Sequence, residues 1–222
     1  MKGVINKMKF EEERKLLVEY GKKMVDRNLT KGSGGNLSIF IREEGLMAIT
    51  PSGIDYYEMK PEDIVIMDLE DNVVDGDKRP SSEYSMHRIF YKERDDIDSV
   101  VHLHSVYSTI LACLRQELPA THYLIGVSGG ENVRCAKYAT YSTEELAENA
   151  FEAMKDRNAV FLANHGLLVG AKSLSSAFGK AEEIELCAEV YYRAKSIGEP
   201  VILDTQEVNK MLKMFQGYGQ RA

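Results

Sequence analysis

The sequence has few cysteines and no long apolar run. Only three of its 222 residues are cysteine, Cys113, Cys135 and Cys187, an odd number without metal-like spacing. They indicate reduced, packed thiols in a cytoplasmic protein rather than a disulfide framework. No apolar run approaches the roughly 18 residues that a membrane-spanning helix needs. The first residues, MKGVINKMKFEEERK, lack the apolar core of a signal peptide. We therefore expect a cytoplasmic protein with no membrane partner.

Basic residues are in deficit, and repeats and linkers are missing. The chain has 28 lysines and arginines against 35 aspartates and glutamates, a formal net charge of −7. This balance argues against a nucleic-acid partner, which requires a basic surface, but a local site can still bind a small anion. No internal repeat, low-complexity segment or Pro/Gly/Ser-rich linker interrupts the chain. We therefore predict one domain over residues 1–222.

Hydrophobic periodicity predicts a mixture of helices and strands. Helices are expected over residues 10–28 and 174–197 and in the segments SSEYSMHRIFYKER and TEELAENAFEAMKDRN. Strands are expected in NLSIF, GLMAIT, DIVIMDLEDNVVDGD, DSVVHLHS and AVFLANHGLLVGA. The mixture predicts an α/β or α+β protein in which helices cover a sheet.

Two helix starts carry capping signals. Ser81 or Ser82 is expected to cap the helix in SSEYSMHRIFYKER. Ser142, with Glu145 three residues later, is expected to form a capping box at the start of the next helix.

The segment VVHLHSVYST places His102 and His104 on one face of a predicted strand, because strand residues two apart point the same way. The pair could bind one metal ion or simply form hydrogen bonds. His165, in LANHGLLVG, and Glu83, in the first turn of a predicted helix, would complete a site for a divalent transition metal. Taken alone, Asn-His-Gly is typical of a turn, and a glutamate at a helix start is favoured by the helix dipole.

Two further histidines fit the ligand role less well. His87 lies four residues after Glu83 and could share its helix face, so we assign it a structural or supporting role rather than that of a ligand. His122 has the weakest case as a ligand.

Three loops have the composition of anion-binding turns. The segment GSGGNLS matches neither the P-loop nor the dinucleotide pattern, yet its backbone N–H groups could bind an anion. TPSG and the start of the Ser81–Ser82 helix could do the same. Each loop alone is also compatible with an ordinary turn. Together they predict a phosphorylated substrate.

Seven motifs occur in the order typical of one family. They are GSGGNLSIF, ITPSGIDY, RPSSEYSMH, VVHLHSVYST, LPATHYLIGVSGG, YATYSTEEL and NHGLLVGAKSLSSAF, with FQGYG near the end. In these motifs the chain resembles the class II sugar-phosphate aldolases of the aldolase and adducin-head superfamily, from about residue 10 to the tail. The resemblance implies a three-layer α/β/α sandwich with a mainly antiparallel central sheet. It also implies a homotetramer with active sites at subunit interfaces.

The resemblance further implies roles for individual residues. It implies one zinc ion per subunit, or another divalent transition metal, bound by Glu83, His102, His104 and His165. The residues implied to bind the phosphate or line the substrate site are Ser33, Gly35, Asn36, Ser52, Gly53, Ser81, Ser82 and Tyr141. Glu83 would also move the proton at the carbon that becomes the nucleophile. Tyr123, from a neighbouring subunit, and Tyr218 would act near the aldehyde.

The activity implied most directly is reversible cleavage of L-fuculose 1-phosphate to dihydroxyacetone phosphate and L-lactaldehyde. L-Ribulose-5-phosphate 4-epimerase is the main alternative within the superfamily, although those epimerases typically have aspartate where this chain has Glu83. Other sugar-phosphate lyases of the superfamily are a further alternative. A non-catalytic, adducin-like binding domain is the alternative of a different class, but such a domain has no need of the metal ligands. Metal content would separate it from an enzyme.

Overall fold

A computed structural model describes residues 8–215 as helices arranged around one sheet. The helices are α1 (Glu11–Asp26), α2 (Ser85–Glu93), α3 (Val106–Leu114), α4 (Glu144–Ala153), α5 (Leu174–Ile197) and α6 (Thr205–Phe215). The strands are β1 (Asn36–Ile41), β2 (Leu46–Ile49), β3 (Val65–Asp68), β4 (Val73–Asp75), β5 (Ser99–Leu103), β6 (Leu118–Pro119), β7 (Asn132–Ala136), β8 (Ala159–Leu162) and β9 (Gly166–Ala171). Short 3₁₀ helices span Pro61–Asp63 and Tyr123–Ser128.

The strands form one nine-stranded sheet in the order β4-β3-β2-β1-β5-β9-β8-β7-β6. The sheet is mixed, because β7 and β8 run parallel while the other neighbouring strands pair antiparallel. Strand β5 lies at the centre, and all five of its residues are buried. Its register places His102 opposite Asn36 of β1 and Leu168 of β9.

Helices cover both faces of the sheet. The core on one face contains residues of α1, α3, α5 and α6 together with Val101 and Leu103 of β5. The core on the other face contains residues of α2 and α4 together with Val100. This division follows from the alternation of side chains along a strand. The expected α/β/α fold is confirmed, with a mixed sheet.

The long periodic segments were predicted well. The helix expected over 10–28 spans Glu11–Asp26, and the helix expected over 174–197 has those bounds. The five strand segments also form strands. Helices α3 and α6 and strands β6 and β7 were not anticipated. Within the described residues, no helix is both long enough and apolar enough to span a membrane.

Both predicted helix caps are wrong. Helix α2 begins at Ser85, so Glu83 precedes it, and the hydroxyl of Ser81 instead accepts a hydrogen bond from the Glu83 backbone N–H at 3.3 Å. At α4 the capping side chain is Thr143, which accepts from the Leu146 N–H at 3.2 Å. Ser142 adopts a left-handed conformation with φ 64°, and its hydroxyl donates to Ser82.

The cysteines are free thiols, as expected. Cys187 is buried, but Cys113 is exposed, so the expectation that all three are packing residues is wrong for Cys113.

Candidate metal centre and substrate cavity

Three histidines meet at the end of the central strand. His102 lies on β5, His104 follows the strand, and His165 lies in the turn between β8 and β9. His102 Nε2 is 3.0 Å from His104 Nε2 and 3.2 Å from His165 Nε2. Three nitrogen atoms, one from each ring, all lie within 4.8 Å of one another. The structure thus brings together the three predicted histidine ligands.

The environment keeps these imidazoles neutral. Burial lowers the pKa of His102 well below its usual value, and the other two histidines lower it further. Burial, assisted by His165, lowers the pKa of His104 to about 4. Burial also lowers the pKa of His165, although the charge of Glu83 opposes the shift. Neutral imidazole is the form that binds a metal ion.

A backbone contact orients His102. Its Nδ1 lies 3.0 Å from the carbonyl oxygen of Leu167, which can only accept, so Nδ1 carries the proton and donates. The Nε2 lone pair of this neutral ring therefore points at the other two histidines. Such a contact, in which the distal nitrogen donates to a carbonyl, is common for metal-binding histidines.

Glu83 approaches the same cluster from the turn before α2. Its Oε2 accepts a hydrogen bond from Asn36 Nδ2 at 3.0 Å and lies 3.5 Å from His102 Nε2. Its Oε1 lies 3.3 Å from His165 Nε2, yet this oxygen is buried and accepts no hydrogen bond. A buried carboxylate oxygen without a donor is costly unless a cation balances it. Three neutral imidazoles and this oxygen fit a divalent transition metal such as zinc.

A cavity of about 360 Å³ opens above the histidines. It is lined by every residue predicted to bind the phosphate or substrate: Ser33, Gly35, Asn36, Ser52, Gly53, Ser81, Ser82 and Tyr141. Glu83, His104 and His165 also line it, whereas His102 is fully buried below. The structure therefore joins three sequence-distant loops to the histidine cluster.

No lysine or arginine occurs among the described residues that line this cavity. An anion there would be bound by hydroxyls and backbone N–H groups. Gly35 and Gly53 have φ values of 72° and 71°, the left-handed conformation found in backbone anion-binding turns. This explains how a chain of net charge −7 can hold a site suited to phosphate.

Two predicted tyrosines lie away from the cavity or outside the described residues. Tyr123 is 53% exposed, does not line the cavity, and stacks on Phe215 with ring centroids 6.3 Å apart. Tyr218 lies outside the described residues. His122, the weakest ligand candidate, accepts a hydrogen bond from the Leu124 backbone N–H at 3.3 Å.

Sequence reasoning missed several supporting residues. Tyr138 and Asn164 also line the cavity. Glu185 of α5 accepts hydrogen bonds from the hydroxyls of Ser105 and Ser108 and from the backbone N–H groups of Tyr107 and Ser108. It thereby fixes the segment that follows His104. Ser105 is a residue type that often begins a helix, so the sequence could have indicated a helix after His104. It could not have indicated that Glu185, far along the chain, is the hydrogen-bond partner of Ser105.

Comparison with known proteins agrees with this geometry. The model of the Class II Aldolase and Adducin N-terminal domain matches residues 15–192. The chain is 55% identical, over 96% of its length and 100% of the relative's, to 5-deoxy-D-ribulose 1-phosphate aldolase of Bacillus thuringiensis serovar kurstaki. It is 38% identical to L-fuculose phosphate aldolase of Escherichia coli K12, covering 89% of this chain and 91% of that one.

A solved structure described as L-fuculose 1-phosphate aldolase is similar in fold as well as in sequence. It has a TM-score of 0.91 and 56% sequence identity, and the match covers 92% of this chain and 96% of that one.

Proposed function

The chain belongs to the class II aldolase and adducin N-terminal domain family, and we propose that it cleaves a deoxyketose 1-phosphate between C3 and C4. The products would be dihydroxyacetone phosphate and a short aldehyde ending in a methyl group. The observation that carries this proposal is the buried, unpaired Oε1 of Glu83 beside three neutral histidines, under a cavity lined by hydroxyl-bearing loops.

Two substrates merit direct comparison. 5-Deoxy-D-ribulose 1-phosphate, which would give acetaldehyde, is favoured because the Bacillus relative that carries this activity in its name is 55% identical over its whole length. L-Fuculose 1-phosphate, which would give L-lactaldehyde, is supported by the 56% identical solved structure described by that activity. Both share the dihydroxyacetone phosphate half and a terminal methyl group.

We assign the metal to His102, His104 and His165, with Glu83 as the fourth ligand until substrate binds. A divalent cation there would supply Lewis-acid stabilisation of the charge that develops on the ketone oxygen and its neighbouring hydroxyl. The loops of Ser33, Ser52 and Ser81 would bind the phosphate and thereby orient the C3–C4 bond.

Proton transfer falls to two side chains in this proposal. When the C3–C4 bond breaks, its electron pair remains on C3, and the C4 hydroxyl loses its proton as C4 becomes the aldehyde carbon. Glu83 would deliver a proton to C3 and remove it in the reverse direction. Tyr123 of a neighbouring subunit is our candidate for handling the C4 oxygen proton, because in its own chain it is exposed and does not line the cavity. Tyr218 is our further candidate near the aldehyde.

A product assay tests the proposal. Zinc-reconstituted protein would be given 5-deoxy-D-ribulose 1-phosphate, L-fuculose 1-phosphate and L-ribulose 5-phosphate separately, and the products would be identified. We expect dihydroxyacetone phosphate from the first two, with the higher kcat/KM for the first. Formation of D-xylulose 5-phosphate from the third, without cleavage of the others, would assign the chain to the epimerases. Absence of both stoichiometric metal and activity would favour an adducin-like binding domain.

A further inference from the structure

A chain of buried hydrogen bonds runs from Glu83 into the protein. Asn36 connects Glu83 to His87 of α2, His87 Nδ1 lies 2.6 Å from Ser38 Oγ, and Ser38 Oγ lies 2.5 Å from the hydroxyl of Tyr91. All five side chains are buried, His87 and Ser38 completely. We call these five residues the buried relay.

Chemistry fixes the direction of every bond in the buried relay. An ionised carboxylate only accepts, so Asn36 must turn its Nδ2 toward Glu83 and its Oδ1 toward His87. That oxygen also only accepts, so His87 Nε2 must carry a proton and donate. Burial lowers the pKa of His87 to about 3, so the ring is neutral and its Nδ1 is an acceptor. Ser38 therefore donates to His87 and accepts from Tyr91.

The direction of these bonds determines which oxygen of Glu83 is free. Asn36 Nδ2 holds Oε2 at 3.0 Å, and Oε1 is left without a hydrogen bond, 3.3 Å from His165 Nε2. If the Asn36 amide turned over, its oxygen would face the carboxylate and repel it. The N–H of His87 prevents this, because it requires an acceptor on its side of the amide.

We propose that His87 is a positioning residue that, through Asn36, keeps Oε2 of Glu83 hydrogen-bonded and leaves Oε1 without a hydrogen bond beside the clustered histidines. The proposal rests on the proposed role of Glu83 as metal ligand and proton carrier. It also explains a polar residue at the centre of a helix face whose neighbours Met86 and Phe90 are fully apolar and buried. His87 does not line the substrate cavity, and its two ring nitrogens are hydrogen-bonded to Ser38 and Asn36 rather than to the three clustered histidines.

The first test needs no activity and no metal. Nitrogen-15 NMR of metal-free protein labelled at histidine distinguishes protonated from unprotonated ring nitrogens, and a His87→Gln sample identifies the His87 signals. We expect a protonated Nε2 and an unprotonated Nδ1 near neutral pH. A protonated Nδ1 would overturn the assigned bond directions and with them the proposal.

The second test compares three variants in the zinc enzyme. His87→Leu removes the N–H donor, and we expect kcat to fall about 10- to 100-fold, as is typical for a residue that orients a metal ligand, with little change in KM. His87→Gln can present an amide N–H near the position of Nε2 and should recover most of the lost rate. Phe90→Leu, a buried change on the same helix outside the buried relay, should lower stability without lowering kcat.

The proposal would be overturned if His87→Leu, His87→Gln and Phe90→Leu had the same kcat. It would also be overturned if the loss of kcat merely followed the loss of stability. If His87→Leu fails to fold, His87→Gln and the NMR measurement on the unmodified chain still decide it. An unmodified zinc protein that cleaves no ketose 1-phosphate would refute the proposed function but leave the NMR result intact, so the two failures are distinguishable.

Discussion

At the scale of single residues, burial gives His87 and the clustered histidines the same charge state for different purposes. All are neutral because transfer of a charged imidazole out of water is costly. His87 uses its one proton to donate to Asn36, whereas His102 donates to a backbone carbonyl and leaves Nε2 facing the other histidines. Sequence reasoning assigned His87 a supporting role, but the partner that explains it, Asn36, is 51 residues away.

The neutrality of His87 predicts a pH dependence of stability in the metal-free protein. The pKa of His87 is about 3 when folded, against an ordinary value of 6.5, so below 6.5 the unfolded chain binds a proton that the folded chain excludes. Its stabilising contribution is therefore complete above pH 6.5 and is lost as the pH falls, at about 1.4 kcal/mol per pH unit. The free energy of unfolding would be measured with urea at several pH values. Its slope against pH in this range should be smaller in His87→Gln than in the unmodified chain, by the equivalent of one proton. Identical slopes would contradict the prediction.

For Glu83, replacement by glutamine separates metal binding from proton transfer. We expect Glu83→Gln to retain zinc, because the three histidines remain, and to lose about 10²- to 10⁴-fold in rate, the usual contribution of general acid–base catalysis. Metal analysis and initial rates of dihydroxyacetone phosphate formation measure the two effects. Glu148→Gln, a change at an exposed glutamate outside the cavity, is the control. An undiminished rate in Glu83→Gln would exclude the proton-transfer role.

At the scale of elements, glycines let two loops pass close to the end of β5. A Cβ atom on Gly35 would lie 2.5 Å from the carbonyl oxygen of His102, and one on Gly166 would lie 2.2 Å from that of Leu103. These contacts place Asn36 and His165, the residues next to the two glycines, beside the histidine cluster. The sequence indicated a turn at each position, but it could not indicate what the turn approaches.

The contact at Gly35 predicts a difference between two similar substitutions. Gly35 and Gly53 share a left-handed φ, but no atom lies within 4 Å of a Cβ on Gly53. Gly53→Ala should lose about 1 kcal/mol of stability from backbone conformation alone. Gly35→Ala should lose more and should bind zinc less tightly, because β1 must move away from β5. Urea unfolding and zinc titration measure both effects, and equal losses of stability would contradict the predicted clash.

The corrected cap of α4 can be tested in the same way. Thr143→Ala should lower the free energy of unfolding by about 1 kcal/mol, because Leu146 loses its hydrogen-bond acceptor. Ser142→Ala should have a smaller effect, since its hydroxyl contacts only Ser82 at the surface. Chemical denaturation of the two variants makes the comparison. A larger loss of stability in Ser142→Ala than in Thr143→Ala would instead support Ser142, the cap predicted from the sequence.

At the scale of the whole molecule, Tyr123, our candidate for handling the C4 oxygen proton, does not line the cavity of its own chain. Tyr123 lies on the 3₁₀ helix Tyr123–Ser128, where its ring is half exposed and stacks on Phe215. We therefore propose that the homotetramer expected from the family resemblance is required for activity, with Tyr123 entering the site of a neighbour.

Subunit mixing tests this requirement. Tyr123→Ala and Glu83→Gln should each be nearly inactive alone, since each damages one part of every shared site. When the two variants are coexpressed, some sites should combine an intact Glu83 with an intact Tyr123, and activity should return in the oligomeric fraction. Light scattering identifies that fraction. A monomer with full activity, or no recovery in a confirmed mixed oligomer, would exclude the shared site.

The sequence by itself determined a mixture of helices covering a sheet, most of the strands, the two longest helices and, through the family resemblance, many of the residues around the cavity. Side-chain periodicity follows directly from backbone geometry, and the His-x-His spacing places both rings on one side of β5. Only the tertiary structure decided which hydroxyl caps α4, which oxygen of Glu83 is free, and how His87 reaches it through Asn36. Those outcomes depend on strand register and on backbone contacts between segments distant in the chain, which local sequence does not encode.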